Sequence, residues 1–184
     1  MFIGWTAAQI ALTRERTGGA DSDFEFDTRV AAAMGRALSA GDSVRALFRW
    51  TDFARALDDF WGRYDLYLTP TVATSAPPLL GEQYIPRWQQ MMLKLLLPLG
   101  FGKFLLRSGL AQKEAPKYFV RVPFTQLSNL TGTPSMSVPL YWNDAGLPIG
   151  SQFMAPLYQE ARLLRLAAQL EQAQPWFGRR PKFG

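Results

Sequence analysis

The segment 124–153 constrains the fold more than any other, because its glycines and prolines fix where helices end and strands begin. It reads FTQLSNLTGTPSMSVPL, a short loop and then LPIGSQF. Residues 125–130 predict a short helix that ends at Gly132, where glycine suits a positive φ. Pro134 then restarts the chain in an extended conformation. The first part of the segment therefore predicts a helix followed directly by a strand.

Two strands are predicted in the rest of this segment, over residues 135–140 and 149–154. The turn 143–146, with sequence Asn-Asp-Ala-Gly, joins them. Pro139 marks the end of the first strand, because proline has no N–H to donate to a ladder. Gly150 indicates that another group packs closely against the second strand.

The remaining chain alternates helical patterns with one short strand, which predicts an α/β fold. After Gly41, Asp42 is the predicted N-cap of the third helix. The other predicted elements are a helix to about Arg16 closed by Gly18 and Gly19, helices over about 26–38 and 42–64, a strand over 66–68 ended by Pro70, a loop around Pro77, Pro78 and Gly81, a helix from Ile85, a short helix ending near Gly109, and a closing helix over about 158–173.

Apolar stripes on two of these helices predict which faces are buried. In the third helix the stripe consists of Leu47, Trp50, Ala54, Leu57 and Trp61. In the closing helix it includes Ala161, Leu164 and Ala168, with the intervening Leu163, Leu166 and Leu170.

Histidine and cysteine are both missing from the 184 residues. The chain therefore lacks the commonest general base and the commonest metal ligand, and it cannot form a Ser-His-Asp triad by itself. Cysteine zinc sites and disulfides are excluded as well. Any acid–base chemistry has to use lysine, tyrosine or a carboxylate, or come from another chain.

A net charge of +5 comes mainly from a basic stretch at 103–121 and a basic tail after residue 178. Neither has the aromatic interleaving or the helix-turn-helix pattern of a nucleic-acid-binding protein, so we expect no nucleic-acid partner. The apolar run 91–106 is interrupted by Lys94, Pro98 and Lys103 and is too short to span a bilayer. The N-terminus does not read as a signal peptide, and we expect a cytoplasmic location.

Three patches resemble the amidase signature family in order and spacing. They are the strand-plus-TPT unit at 68–71, the run N-L-T-G-x-P-x-x-S-V-P at 129–139, and G-L-P-I-G-x-Q at 146–152. Together with the closing helix, the matches reach across residues 64–176. The resemblance implies the C-terminal part of the amidase signature fold, a mixed β-sheet covered by helices, with residues 1–184 forming a single region.

The family's chemistry resides in a Gly/Ser-rich stretch with a serine nucleophile, a second serine in a cis peptide and an unprotonated lysine as base. A desolvated lysine explains how such enzymes work without histidine. No such stretch occurs in the 184 residues. We therefore assign no catalytic residue, no cofactor and no metal. Ser135 and Ser137 match strand positions of the family, not its nucleophile.

The resemblance also implies which residues line the substrate pocket. In the family, residues after the TPT strand and in the F-T segment approach the acyl group, which makes Thr71, Phe124 and Gln126 the candidate substrate-binding residues. The glutamine-handling branch of the family usually has an aspartate at the position of Val122. Valine there favours an apolar acyl or aryl group over an amino-acid amide.

We therefore interpret the chain as the C-terminal portion of an amidase, a hydrolase of carbon–nitrogen bonds other than peptide bonds. It would contribute sheet core and pocket wall for a small-molecule amide once an N-terminal half completes it, and it would be inactive alone. Residues 85–110 are expected to form an apolar, lid-like helical insertion, and a core helix is the other interpretation of its apolar run 91–106. The alternative is a non-catalytic binding module that self-associates through exposed strand edges, or one that touches membranes through 85–107. We expect no membrane contact, since that run is short.

Overall fold

The computed structural model describes residues 2–75, 87–109, 113, 116 and 119–179. Several sequence predictions lie outside these residues. They are the loop around Pro77, Pro78 and Gly81, the start of the helix at Ile85, the last residue of the lid-like segment at 110, and the tail residues Arg180 and Lys182.

The described residues form helices and three strands, which confirms the predicted α/β class. The chain divides into two compact units, one of residues 1–49 with 78–118 and one of residues 50–77 with 119–184. The elements in chain order are α1 (Phe2–Thr17), α2 (Phe26–Arg36), α3 (Ala40–Trp61), β1 (Tyr67–Pro70), α4 (Arg87–Leu96), α5 (Gly102–Arg107), α6 (Thr125–Thr131), β2 (Ser135–Trp142), β3 (Pro148–Met154) and α7 (Glu160–Ala173), with short 3-10 turns at Asp21–Asp23 and Leu97–Leu99.

The first unit is built on close helix contacts made by glycines. Gly35 of α2 packs against the backbone of Ile3 in α1, and a Cβ at Gly35 would overlap with it. Gly102 of α5 lies in the same way against Ala33 of α2. Helices approach most closely where one of them lacks a side chain, so these two glycines set the packing of α1, α2 and α5.

Ser39 is the residue that caps α3, not the predicted Asp42. Its Oγ accepts the backbone N–H of Asp42 at 3.0 Å and donates to the Asp42 carboxylate at 2.7 Å. Both residue types are good caps, but the helix begins at Ala40. Asp42 therefore lies inside the first turn, where its carboxylate still suits the positive end of the helix dipole.

The sheet of the second unit has the order β1-β3-β2, and both strand pairs are antiparallel. The resemblance implied a mixed sheet, whereas the described strands pair only in antiparallel fashion. The predicted turn is confirmed: Gly146 has φ 74° and donates its N–H to the carbonyl of Asn143. This turn fixes the register of β2 against β3.

Pro139 does not end β2, contrary to the sequence prediction. The strand continues to Trp142, with a shift of register between Pro139 and Tyr141. Because β2 lies at one edge of the described sheet, the N–H that proline lacks is not needed there. A bulge and an edge position together allow the proline inside the strand.

One face of this sheet packs against α7 and forms the core of the second unit. Val138, Phe153 and Leu163 are buried there, and Leu166 and Leu170 pack around them. The apolar stripe predicted for α7 is therefore confirmed for Leu163, Leu166 and Leu170 and wrong for its other members. The exposed members are Ala161, Leu164 and Ala168. Leu163 is 4% exposed and Leu164 is 70% exposed, so the buried stripe runs one residue away from the predicted one.

The third-helix stripe is partly confirmed. Leu57 is buried, and Trp50, Ala54 and Trp61 are half-buried, whereas Leu47 is exposed. Leu47 lies one turn before Trp50, in the part of α3 that belongs to the first unit.

The apolar segment predicted as a lid contains α4, the turn Leu97–Leu99 and α5. Gly100 follows the turn with φ 77° and separates the two helices. Met91 and Leu95 of α4 are each 74% exposed. Within the described residues, we find that all helices are too short or too polar to cross a membrane. The role of the segment as a lid stays a prediction.

Candidate functional site

Thr71 directly follows β1 and extends its pairing with β3. Its backbone N–H donates to the carbonyl of Gly150 at 2.9 Å. Its side-chain Oγ1 lies 2.6 Å from Oγ of Ser137 in β2, so the two hydroxyls share a hydrogen bond. The three strands thereby bring together two residues that are 66 positions apart in the sequence.

Gly150 makes this hydroxyl contact sterically possible. A Cβ at Gly150 would lie 2.5 Å from Ser137 Oγ and 2.6 Å from Thr71 Oγ1, inside both oxygen atoms' van der Waals contact distance. The hydroxyls of Thr71 and Ser137 meet over the middle strand, in the space that a side chain at position 150 would otherwise fill. The sequence prediction of a close approach at Gly150 is thus confirmed.

The side chains of Thr69 and Gln152 are also polar, and they lie on the same face of the sheet as those of Thr71 and Ser137. Thr69, Gln152 and Ser137 occupy directly opposite positions in β1, β3 and β2, and opposite residues in a sheet share a face. Gln152 is only 3% exposed. Its Nε2 and Thr69 Oγ1 are buried without a hydrogen-bond partner among the described residues.

We call Thr69, Thr71, Ser137 and Gln152 the hydroxyl–amide cluster. All four are uncharged at neutral pH, so the cluster can donate and accept hydrogen bonds without ionising. The described lysines, Lys94, Lys103 and Lys113, all belong to the other unit. The cluster is thus suited to holding a polar group, and the described part of its own unit gives it no lysine base.

The other two predicted residues, Phe124 and Gln126, lie at the start of α6 and are half-buried. The backbone N–H of Ala73 donates to the carbonyl of Arg121 at 2.9 Å. This bond joins the segment after Thr71 to the segment before Phe124, so the structure brings the two predicted pocket segments side by side.

Val122 lies between Arg121 and Phe124, at the position where the glutamine-handling branch of the family usually has an aspartate. Its side chain is half-buried, and its carbonyl accepts a hydrogen bond from Thr125 Oγ1 at 3.3 Å. A half-buried valine adds an apolar surface to this part of the chain.

Sequence reasoning assigned no role to Ser137, Gly150 and Gln152 in a polar site. The two-residue period of a strand places Ser135 and Ser137 on one face of β2. It could not give the register that sets Ser137 against Gln152, or the hydrogen bond to Thr71.

Among the described residues, the titratable groups with shifted pKa values lie in the first unit. Burial, with a smaller contribution from the nearby Glu25, raises the pKa of Asp27. Hydrogen bonding by Ser39 is the main cause that lowers the pKa of Asp42. A cavity of 540 Å³ in this unit is lined by Asp42, Lys103 and Arg107 among others, and it includes none of the predicted site residues. We therefore do not place the functional site there.

A family model described as Amidase matches residues 25–164, more than half of the chain. Among curated proteins, the chain is 36% identical over 132 residues to the putative amidase AmiC of Mycobacterium leprae (strain TN). That match covers 72% of this chain and 23% of the relative.

Solved structures give the same fold. A 6-aminohexanoate cyclic dimer hydrolase matches 98% of this chain with a TM-score of 0.63 and 23% identity. A bacterial aryl acylamidase of the amidase signature family matches 96% with a TM-score of 0.58 and 21% identity. The chain spans 34% of each of these structures and 23% of the AmiC relative, about a quarter to a third of their lengths. The chain belongs to the amidase signature family.

Proposed function

We propose that these 184 residues supply the sheet core and one substrate-pocket wall of an amide hydrolase, and that they do not hydrolyse amides alone. The observation that carries the proposal is the hydroxyl pair over Gly150, in which Thr71 Oγ1 and Ser137 Oγ lie 2.6 Å apart. Thr71 follows β1, in the segment that the family resemblance places near the acyl group. Thr71, Phe124 and Gln126 are the substrate-binding residues in this proposal.

The chemistry of the family supports the inactivity of the chain alone. A serine attacks an amide efficiently only when a base removes its proton. The cluster has hydroxyls, but the Gly/Ser-rich stretch with its paired lysine is not among the 184 residues. The missing nucleophile, base and oxyanion donors would come from the part of the fold that the chain does not span.

The substrate we propose is a small carboxamide with an apolar acyl or aryl group. Half-buried Val122 and Phe124 give the neighbouring segment an apolar surface. A substrate ammonium at this point would lose its hydration without gaining a carboxylate partner from Val122. The similar aryl acylamidase fold is consistent with this choice and fixes no substrate for this chain.

A chimera tests the proposal. The 184-residue chain replaces the matched part of the AmiC relative, and hydrolysis of benzamide and 4-nitroacetanilide is measured for the chimera and for the chain alone. We expect turnover by the chimera and none by the chain. The matched control is a chimera whose Gly/Ser-rich serines are replaced by alanine, which should be folded and inactive.

The outcomes separate the two parts of the proposal. Turnover by the purified chain alone would contradict its inactivity. A chimera that folds, as judged by its circular dichroism and cooperative melting, but hydrolyses neither amide would contradict the role as a pocket wall.

A further inference from the structure

We propose that the hydroxyl pair Thr71–Ser137, backed by Gln152, is a hydrogen-bond-donor site that binds the carbonyl oxygen of a neutral carboxamide. The inference deepens the proposed function and rests on it for the choice of ligand. It assigns the contact to Ser137, Gly150 and Gln152, which the sequence comparison with the family left without a role in binding.

The hydrogen-bond capacity of the cluster leaves a surplus of donors. Within the Thr71–Ser137 pair one hydroxyl donates to the other, so one O–H remains free to donate outward. Gln152 Nε2 adds two N–H groups, and it has no acceptor among the described residues. A ligand that completes the cluster must therefore accept hydrogen bonds.

The uncharged state of the cluster selects a neutral acceptor. A carboxylate would lose part of its hydration at the cluster, and hydroxyl and amide groups alone offset that loss only partly. An amide carbonyl is a strong acceptor that carries no net charge and costs far less to desolvate. The chemistry therefore favours a carboxamide over the carboxylate that its hydrolysis would release.

The buried end of the cluster, formed by Thr69 and Gln152, also indicates a ligand. Thr69 Oγ1 and Gln152 Nε2 are shielded from solvent yet unbonded in the described structure, an arrangement that native proteins usually avoid. At the other end of the cluster, Ser137 is exposed and Thr71 is half-buried. A carbonyl oxygen on the solvent side of the hydroxyl pair would accept the O–H that the pair leaves free. Gln152 lies opposite Ser137 in β3 and is the neighbouring residue with unused N–H groups.

The test is a titration of the isotope-labelled 184-residue chain with benzamide, followed by NMR. We expect the largest shifts at the backbone amides of Thr71, Ser137 and Gly150 and at the side-chain amide of Gln152, with a Kd of about 1–10 mM. The double variant Ser137→Ala with Thr71→Val should weaken binding about three- to tenfold, because it removes the outward O–H that either hydroxyl alone could still supply. Ser135→Ala is the matched control, since this serine is also exposed in β2, and it should leave the Kd unchanged.

Benzoate is the second probe and should bind at least about fivefold more weakly than benzamide. Absence of shifts in the cluster up to about 20 mM benzamide, well above the expected Kd, would overturn the inference. Shifts that the double variant leaves unchanged would overturn it too, as would equal binding of benzoate.

The titration needs no turnover, so its result is independent of the chimera assay. If the chimera hydrolyses amides while the cluster does not respond to benzamide, this inference fails and the proposed function stands. If benzamide binds the cluster while the folded chimera is inactive, the binding site stands and the proposed function fails.

Discussion

Gly35 of α2 lies directly against the backbone carbonyl of Ile3 in α1, with no room between them for a side chain. A Cβ at Gly35 would also come within 2.9 Å of the Cβ of Ala7. We therefore expect Gly35→Ala to lower the free energy of unfolding by about 1–3 kcal/mol, although alanine favours a helix by about 1 kcal/mol. Urea unfolding followed by circular dichroism measures this change.

Gly41→Ala is the control for that prediction. Gly41 lies in the first turn of α3, and a Cβ there would meet only Ser39 Oγ at 3.8 Å. Alanine should then raise the free energy of unfolding by a few tenths to about 1 kcal/mol. An equal gain from Gly35→Ala would show that α1 and α2 do not pack as described.

Features that depend on neighbouring residues were predictable from the sequence. Gly132 ends α6 with φ 71°, and Gly18 follows α1 with φ 70°, as expected for glycines after helices. The turn before β3 was predictable for the same reason. In each case a single residue type satisfies a local backbone requirement.

Features that depend on distant packing were not predictable. Leu163 and Leu164 are adjacent and equally apolar, so periodicity alone could not decide which of them faces the sheet. The bond between Thr71 and Ser137 requires the register of all three strands. Thr71 was predicted as a pocket residue by resemblance, whereas its partner in β2 follows only from the pairing.

Ser39 should control the pKa of Asp42. The hydrogen bonds from Ser39 are the largest cause that lowers this pKa, and Arg45 adds to the effect. Because the pKa is lower in the folded than in the unfolded chain, the stabilisation is fully present above the ordinary aspartate value of about 3.9. It is lost as the pH falls through the folded pKa.

We expect Ser39→Ala to raise the pKa of Asp42 towards the ordinary value and to lower the free energy of unfolding at neutral pH by about 1 kcal/mol through loss of the N-cap. An NMR titration of the Asp42 carboxyl carbon measures the shift. Ser43→Ala is the control, because Ser43 Oγ donates to the Ser39 carbonyl and not to Asp42. Identical titration curves for the two variants would contradict the capping role of Ser39.

Tyr158 adopts a left-handed backbone conformation, with φ 65°, just before α7. Its side chain is 88% exposed, so few contacts offset the cost of this conformation. Asparagine tolerates positive φ better than other residues with a side chain. Tyr158→Asn should raise the melting temperature by a few degrees, equivalent to about 0.5–1 kcal/mol. Tyr158→Ala keeps the strain and should change stability less; if alanine stabilises as much as asparagine, strain is not the cause.

Gln152 should reduce the stability of the unliganded chain, because its Nε2 is buried without a partner in the described structure. A buried donor that forms no hydrogen bond costs about 1–3 kcal/mol, and an apolar group of similar shape avoids that cost. Gln152→Leu should therefore raise the free energy of unfolding by about 1 kcal/mol or more while weakening benzamide binding at Thr71 and Ser137.

Gln169→Leu is the control, because Gln169 lies at an exposed position of α7. It should change the free energy of unfolding by less than about 0.5 kcal/mol. Destabilisation by Gln152→Leu would mean that Gln152 already has a hydrogen-bond partner in the free protein, and the surplus donors inferred for the cluster would then not exist.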